Sequence, residues 1–314
     1  MVTIEKQDLL VYLHDLSISR ELKEILAAFG RIGTQNRHLL VNAPMRGLLG
    51  TTGATNVQNE QVTSMDHEGN KIAVHELSID CVGSLISEEI PQPLTFSRGN
   101  YTCCCDPIDG SSGVGISPVG SIFGVYDRKF PESPGARFMV HGSEQVAAAF
   151  IVYGVPTIMI LTVRQGVQGF TLDPARNEWV LTHPDIRIPK PKYASVNWMN
   201  LNRWSERVKR GVEAACVGLS GRYSGSLVED ILRILLKGGV FIYPADTESP
   251  NGKLRMLYEL CPISLILQEA GGIGCNGEEI ILNMRITEPH QRSPFIGGDT
   301  ELVLKYLDAS VGLG

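Results

Sequence analysis

The hydrophobic pattern changes period several times along the chain, and each change marks an element. Leu22, Ile25, Leu26 and Phe29 recur at steps of three and four, one face of a helix, with Gly30 and Gly33 punctuating its end. A Gly- and Thr-rich stretch follows at 47–55. Polar residues at 56–70 then give way to a mixed segment that ends in Leu85 and Ile86. Residues 101–105 read as a short apolar strand stopped by Asp106 and Pro107. Further strands are expected over 121–126, 147–153 and 157–163. Pro189-Lys190-Pro191-Lys192 marks a boundary between domains at 1–188 and 189–314. Beyond it come a helix at 226–236, a strand at 240–243 and a long helix starting near Gly252. No repeat recurs along the chain, which excludes a solenoid. The fold class is therefore α/β, an α+β arrangement with helices layered on sheets.

Composition narrows this picture. With 43% hydrophobic and 20% charged residues, the 314-residue chain is neither disordered nor fibrous. A net charge of −6 argues against a nucleic-acid partner. No apolar run reaches membrane-span length, and Glu5, Lys6 and Asp8 precede the first apolar cluster, so neither a membrane span nor a signal peptide is expected. The seven cysteines are odd in number and show no CxxC spacing. Cys103, Cys104 and Cys105 alternate faces of one strand, and the whole set reads as small core residues in a reducing compartment, not as a metal or redox site.

Three acidic features bring in chemistry. Glu88 and Glu89 directly follow Leu85, Ile86 and Ser87. Asp106-Pro107-Ile108-Asp109-Gly110-Ser111-Ser112 follows the apolar strand, and Pro107 is expected to turn the chain so that Asp106 and Asp109 share one side. Amides of the Gly110-Ser111-Ser112 turn suit a phosphate. Glu259 lies in a run that is apolar nearly all round, so a buried carboxylate there needs a cation, a proton or an arginine. Oxygen donors without matching His or Cys favour Mg²⁺ over Zn²⁺. Each feature also has a plain reading: a solvated loop, an ordinary turn, and an i,i+4 pair between Arg255 and Glu259.

Taken together, these residues resemble the fructose-1,6-bisphosphatase family. The resemblance is carried by Glu88-Glu89, the 106–112 motif, Val119-Gly120-Ser121-Ile122-Phe123-Gly124, Arg222-Tyr223-Ser224-Gly225-Ser226, Tyr243-Pro244 and the run from Ser249 through Asn251 and Lys253 to Glu259. It extends from about Glu21 to the C-terminus. A lone Asp-Pro-x-Asp-Gly-Ser would indicate only the wider superfamily of Mg²⁺-dependent phosphatases.

The resemblance implies a sugar-phosphatase fold of alternating helix and sheet layers. It also implies hydrolysis of the 1-phosphate of fructose 1,6-bisphosphate by two or three Mg²⁺ ions, with Mn²⁺ able to substitute. Glu88, Asp106, Asp109 and Glu259 match metal ligands, with the Ile108 carbonyl, and Glu60 stands where the third-metal acid is usually Asp. Asp66 and Glu89 match the pair that orients and deprotonates the attacking water. Gly110, Ser111 and Ser112 match the 1-phosphate site. Asn197, Asn200, Tyr223, Tyr243 and Lys253 match the sugar and distal-phosphate site, and Arg222 matches a residue inserted into a neighbouring subunit's site of a homotetramer. The partner is thus a small sugar bisphosphate, in the cytoplasm, or in an organelle if a transit peptide has been removed.

Departures matter as well. The family's AMP loop reads Thr-Gly-Glu-Leu-Thr, whereas here Ser19-Arg20-Glu21-Leu22-Lys23 stands, and Asn100-Tyr101 replaces a Lys-Tyr pair. AMP regulation is therefore not expected. Residues 87–91 and 145–149 look more like sedoheptulose-1,7-bisphosphatase, while 243–244 and 249–253 look more like fructose-1,6-bisphosphatase, which the reading favours. A catalytically silent regulator would have lost acids from the cluster, yet Asp66, Glu88, Glu89, Asp106, Asp109 and Glu259 all stand.

Overall fold

The computed structural model describes residues 7–55, 61–96, 99–130 and 138–311. Helix α1 (Leu9–Asp15) leads into α2 (Arg20–Asn42), which Ser19 starts by accepting the Leu22 amide at 3.0 Å. The stop expected at Gly30 and Gly33 is absent, because α2 runs through both. A Cβ at Gly33 would lie 2.5 Å from Ile151 Cδ1 and 2.8 Å from Trp179 Cζ2. These glycines are contact points, not terminators. They weaken the helix by about 1 kcal/mol each but let its backbone lie close on the sheet.

That sheet has eight strands: β1 (Val82–Ser87), β2 (Leu94–Thr95), β3 (Tyr101–Asp109), β4 (Val119–Tyr126), β5 (Gln145–Tyr153), β6 (Thr157–Thr162), β7 (Val167–Asp173) and β8 (Glu178–His183). Their order is β8-β7-β6-β5-β4-β3-β1-β2. All pairs are antiparallel except β1 with β3. The strands expected from residues 121, 147 and 157 onward are β4, β5 and β6. The strand expected to stop at Asp106 instead continues to Asp109. Asp106 pairs with Ile122 and Asp109 with Gly120, so the register shifts between them. Three steps on β3 face two on β4. This is a bulge, one of the few places where a sheet interior tolerates proline.

Alternation of the thiols holds. Cys103 and Cys105 pack with α1, α2 and the inner side of α3 (Ser64–Leu77), whereas Cys104 packs on the opposite face. All seven cysteines are free, and burial raises the thiol of each of the three strand cysteines.

The second sheet comprises β9 (Tyr193–Val196), β10 (Ser220–Gly221), β11 (Gly239–Tyr243), β12 (Gly272–Cys275) and β13 (Phe295–Asp299), in the order β10-β9-β11-β13-β12. Helices α4 (Glu206–Cys216) and α7 (Thr300–Val311) cover one face. Helices α5 (Leu227–Lys237) and α6 (Cys261–Glu269) share a core with both sheets and so lie between them. The result is five layers: helix, sheet, helix, sheet, helix. Both sheets are covered on both faces, which is why β3 and β4 are buried at every position.

The long helix expected near Gly252 begins later. Leu254–Arg255 is a short strand paired with Arg292–Ser293, and Met256–Leu260 forms a π turn ahead of α6. The Cys261 amide reaches back five residues to the Met256 carbonyl. Pro262 follows in the first turn of α6, where its missing N–H costs nothing. Among the described residues, no helix is long and apolar enough to cross a membrane.

Candidate active site

A cavity of about 530 Å³ opens where β1, the β3 bulge, the N-terminus of α5 and the π turn meet. Four acids converge on it. Asp106 and Asp109 flank the bulge, Glu88 follows β1, and Glu259 projects from the π turn. All four are buried. Carboxylate oxygens of Asp106, Asp109 and Glu259 lie within 4.8 Å of one another, although Glu259 is 150 residues away from Asp109 in the chain.

The local fold holds each acid. Asp106 Oδ1 accepts the Ile108 amide at 3.1 Å, which closes the turn over Pro107. Asp109 Oδ2 accepts the Val228 amide at 3.3 Å, so the first turn of α5 grips an acid from the other sheet. Glu259 Oε2 accepts the Arg255 amide at 2.5 Å. Arg255 Nη2 lies 2.5 Å from Glu88 Oε1, and Nη1 lies 3.8 Å from Glu259 Oε2. The i,i+4 contact of the plain reading is thus real, but Arg255 is shared with Glu88. One guanidinium does not balance four carboxylates.

Electrostatics reflects that imbalance. Burial raises Asp106 well above the usual carboxylate range, and Glu88, Asp109 and Glu259 repel its charge further. Burial lifts Asp109 to about 6, against the Val228 amide, with Glu88 adding repulsion. Burial lifts Glu259 to about 8 although Arg255 opposes it. Clustered, buried oxygen donors whose ionisation is disfavoured fit a hard divalent cation, which would supply the missing positive charge.

Other expected residues sit around the same cavity. Asp66 closes a capping box on α3, accepting the Thr63 amide at 2.8 Å, and lines the cavity with half-buried Glu89. Ile108, Gly110, Ser111 and Ser112 line it too, with Gly110 in the left-handed region at φ 75° and a 3₁₀ turn at Ser111–Gly113. Tyr223, Tyr243 and Lys253 line the same cavity. Burial lifts the Tyr223 hydroxyl to about 12, so it remains a neutral donor.

Three expected residues do not line this cavity. Asn197 accepts the Met199 amide at 3.2 Å and caps the 3₁₀ turn Trp198–Arg203, which also contains Asn200. Arg222 is exposed, donating to the Gly221 carbonyl at 2.7 Å with its guanidinium 5.6 Å from the Tyr193 ring. Glu60 lies outside the described residues. Sequence reasoning missed the Arg255–Glu88 bridge and the apolar wall of Phe241 and Leu254. The signal for the first was an arginine inside an apolar run.

Comparison with known proteins adds an independent line. The family "Fructose-1-6-bisphosphatase, N-terminal domain" matches residues 7–184, and its C-terminal domain matches residues 188–310. The chain is 39% identical over 295 residues to "Fructose-1,6-bisphosphatase class 1" of Sulfurihydrogenibium sp. (strain YO3AOP1), covering 91% of this chain and 90% of that one. It is 42% identical over 276 residues to the cytosolic fructose-1,6-bisphosphatase of Oryza sativa subsp. indica, covering 82% and 80%. The crystal structure of Leishmania major fructose-1,6-bisphosphatase in holo form superposes with a TM-score of 0.91 at 33% identity, covering 97% of this chain and 98% of that chain.

Proposed function

The chain belongs to the fructose-1,6-bisphosphatase family, and from that premise we propose that it hydrolyses the 1-phosphate of fructose 1,6-bisphosphate, releasing fructose 6-phosphate and phosphate. The observation that carries this reading is the convergence of Asp106, Asp109 and Glu259 on one cavity that Lys253, Tyr223 and Tyr243 also line. An acid cluster together with hydroxyl and ammonium donors in one cavity suits a substrate with two phosphates. Only one of those phosphates would lie against the acids.

Asp106, Asp109, Glu259, Glu88 and the Ile108 carbonyl would hold Mg²⁺, two or three ions with Mn²⁺ as a substitute, and Glu60 would serve a third. When bound, Mg²⁺ neutralises charge on the phosphate and the leaving alkoxide and acidifies water. Glu89 and Asp66 orient the attacking water and accept its proton. Amides and hydroxyls of Gly110, Ser111 and Ser112 donate to the 1-phosphate as its P–O bond to the sugar breaks. Lys253, Tyr223 and Tyr243 hold the sugar and the distal phosphate, with Asn197 and Asn200 as further donors by family resemblance. The exposed position of Arg222 suits a reach into a neighbouring subunit of a homotetramer. The gap between His183 and Tyr193, the end of one sheet and the start of the next, supports a domain division at 188/189. A cytoplasmic location accords with the free thiols.

Sedoheptulose 1,7-bisphosphate differs from the favoured substrate by one CHOH unit, and Leu227 lines the cavity where the family usually has Met. Steady-state kinetics on both bisphosphates separates the two readings. A higher kcat/KM for fructose 1,6-bisphosphate is expected, and a preference for the heptulose would overturn the assignment.

A further inference from the structure

Helix α2 buries an amide side chain where the sheet would ordinarily demand an apolar one. Asn36 is fully buried, one turn after Gly33 on the face that packs against the sheet. Its Nδ2 donates to the Pro107 carbonyl at 3.1 Å and to Ser121 Oγ at 3.3 Å. The Ser121 hydroxyl also donates to the Pro107 carbonyl, at 2.5 Å, and the Tyr153 hydroxyl lies 2.7 Å from Ser121 Oγ. Two side chains thus bind this carbonyl directly, and the third, Tyr153, braces Ser121 from behind. That carbonyl stands between the two acids of the bulge.

The register explains why it needs them. Ser121 is the β4 residue between Ile122, which pairs with Asp106, and Gly120, which pairs with Asp109. Its own cross-strand partner on the other side is Ile151. Toward β3 the bulge leaves Pro107 without a ladder partner, and proline has no N–H to compensate. A buried carbonyl left alone would cost about 1–3 kcal/mol and leave the turn loosely held. Gly69 of α3 presses from another side, since a Cβ there would come within 2.5 Å of Ile108 Cγ1.

We infer that Asn36, Ser121 and Tyr153 are positioning residues for the acid turn: they pin the Pro107 carbonyl and thereby set the separation of Asp106 and Asp109 for the cation. None of the three lines the cavity, so they act only through the turn. Gly30 and Gly33 belong to the same device, because the close approach they permit brings Asn36 within reach. This inference rests on the reading of Asp106 and Asp109 as metal acids.

The test is Mn²⁺ binding to the purified, metal-stripped chain by calorimetry, without substrate, together with a thermal melt. Ser121→Ala and Asn36→Ala are expected to weaken Mn²⁺ binding about tenfold, Tyr153→Phe about threefold, and Ser121→Thr, which keeps the hydroxyl, to restore it. A merely structural role would lower the melting temperature while leaving the Mn²⁺ dissociation constant of the folded protein unchanged. Affinities within twofold of the parent in Ser121→Ala and Tyr153→Phe would overturn the inference, even if Asn36→Ala failed to fold. Failure of the underlying metal reading looks different: the parent itself would bind no Mn²⁺, or Asp109→Asn would bind it undiminished.

Discussion

At the scale of single residues, the site is governed by an excess of buried negative charge around Arg255. Each acid has a separable contribution. Asp109→Ala or Glu259→Ala removes a donor to the cation and should cut turnover by roughly two orders of magnitude or more in phosphate-release assays. Glu89 is half-buried and has a different part. Glu89→Gln keeps its shape but not its basicity, so kcat should fall about 10²- to 10⁴-fold with KM little changed. Turnover near that of the parent would refute the proton-acceptor assignment. The acids themselves were legible in the sequence because carboxylates beside Leu85, Ile86 or Leu257 have no cheap place to go. Arg255 was legible only as a partner of Glu259, since nothing in the chain order says that Glu88 folds onto it. Asn36 gave no signal, as a lone Asn in a helix ordinarily faces water.

At the scale of elements, tertiary neighbours override the local breakers. Pro107 ends a strand in isolation but sits in a bulge here, opposite Ser121. Gly30 and Gly33 end a helix in isolation but here admit Trp179 and Ile151. The π turn at Met256–Leu260 has no sequence signature beyond Pro262. Gly33→Val gains little helix propensity yet pushes a branched side chain into Trp179, so stability should fall by about 2–3 kcal/mol, seen as a lower melting temperature. At the start of α2, Ser19 is occupied by the Leu22 amide and by the Tyr101 hydroxyl at 2.9 Å, and Lys23 Nζ by the His14 carbonyl at 2.7 Å. Among the described residues, a cavity of about 500 Å³ beside them is lined by Glu21, Glu24, Asp80 and Asp127 and by one cation, Arg20. Such a surface repels a nucleotide phosphate. AMP titrated at saturating Mg²⁺ should leave activity intact, and half-inhibition at low micromolar AMP would contradict this.

At the scale of the whole molecule, the layers bring acids of the eight-stranded sheet and an acid of the π turn into one cluster, so cation, proton and stability are linked. Without metal, Asp109 at about 6 and Glu259 at about 8 lie above the values of 3.8 and 4.5 that they have in an unfolded chain. Below those unfolded values both states are protonated and nothing is lost. As pH rises to about 8, the folded state must ionise carboxylates that the unfolded state ionises more easily, so stability drains away across that window. The gain in melting temperature on adding Mg²⁺ should therefore grow between pH 5.5 and pH 8, and a constant gain would contradict the coupling. The layered architecture was legible from alternating strand and helix periods. The assembly of its cluster was legible only through the family resemblance, because nothing local in the chain joins residues 109, 228 and 259. The decisive assay is phosphate release from fructose 1,6-bisphosphate by the purified chain, with Mg²⁺ or with a chelator, in the parent and in Asp109→Asn. One phosphate and one fructose 6-phosphate per turnover are expected, only with Mg²⁺ and only in the parent. Release that survives the chelator or the substitution, or no release with Mg²⁺ present, would contradict this.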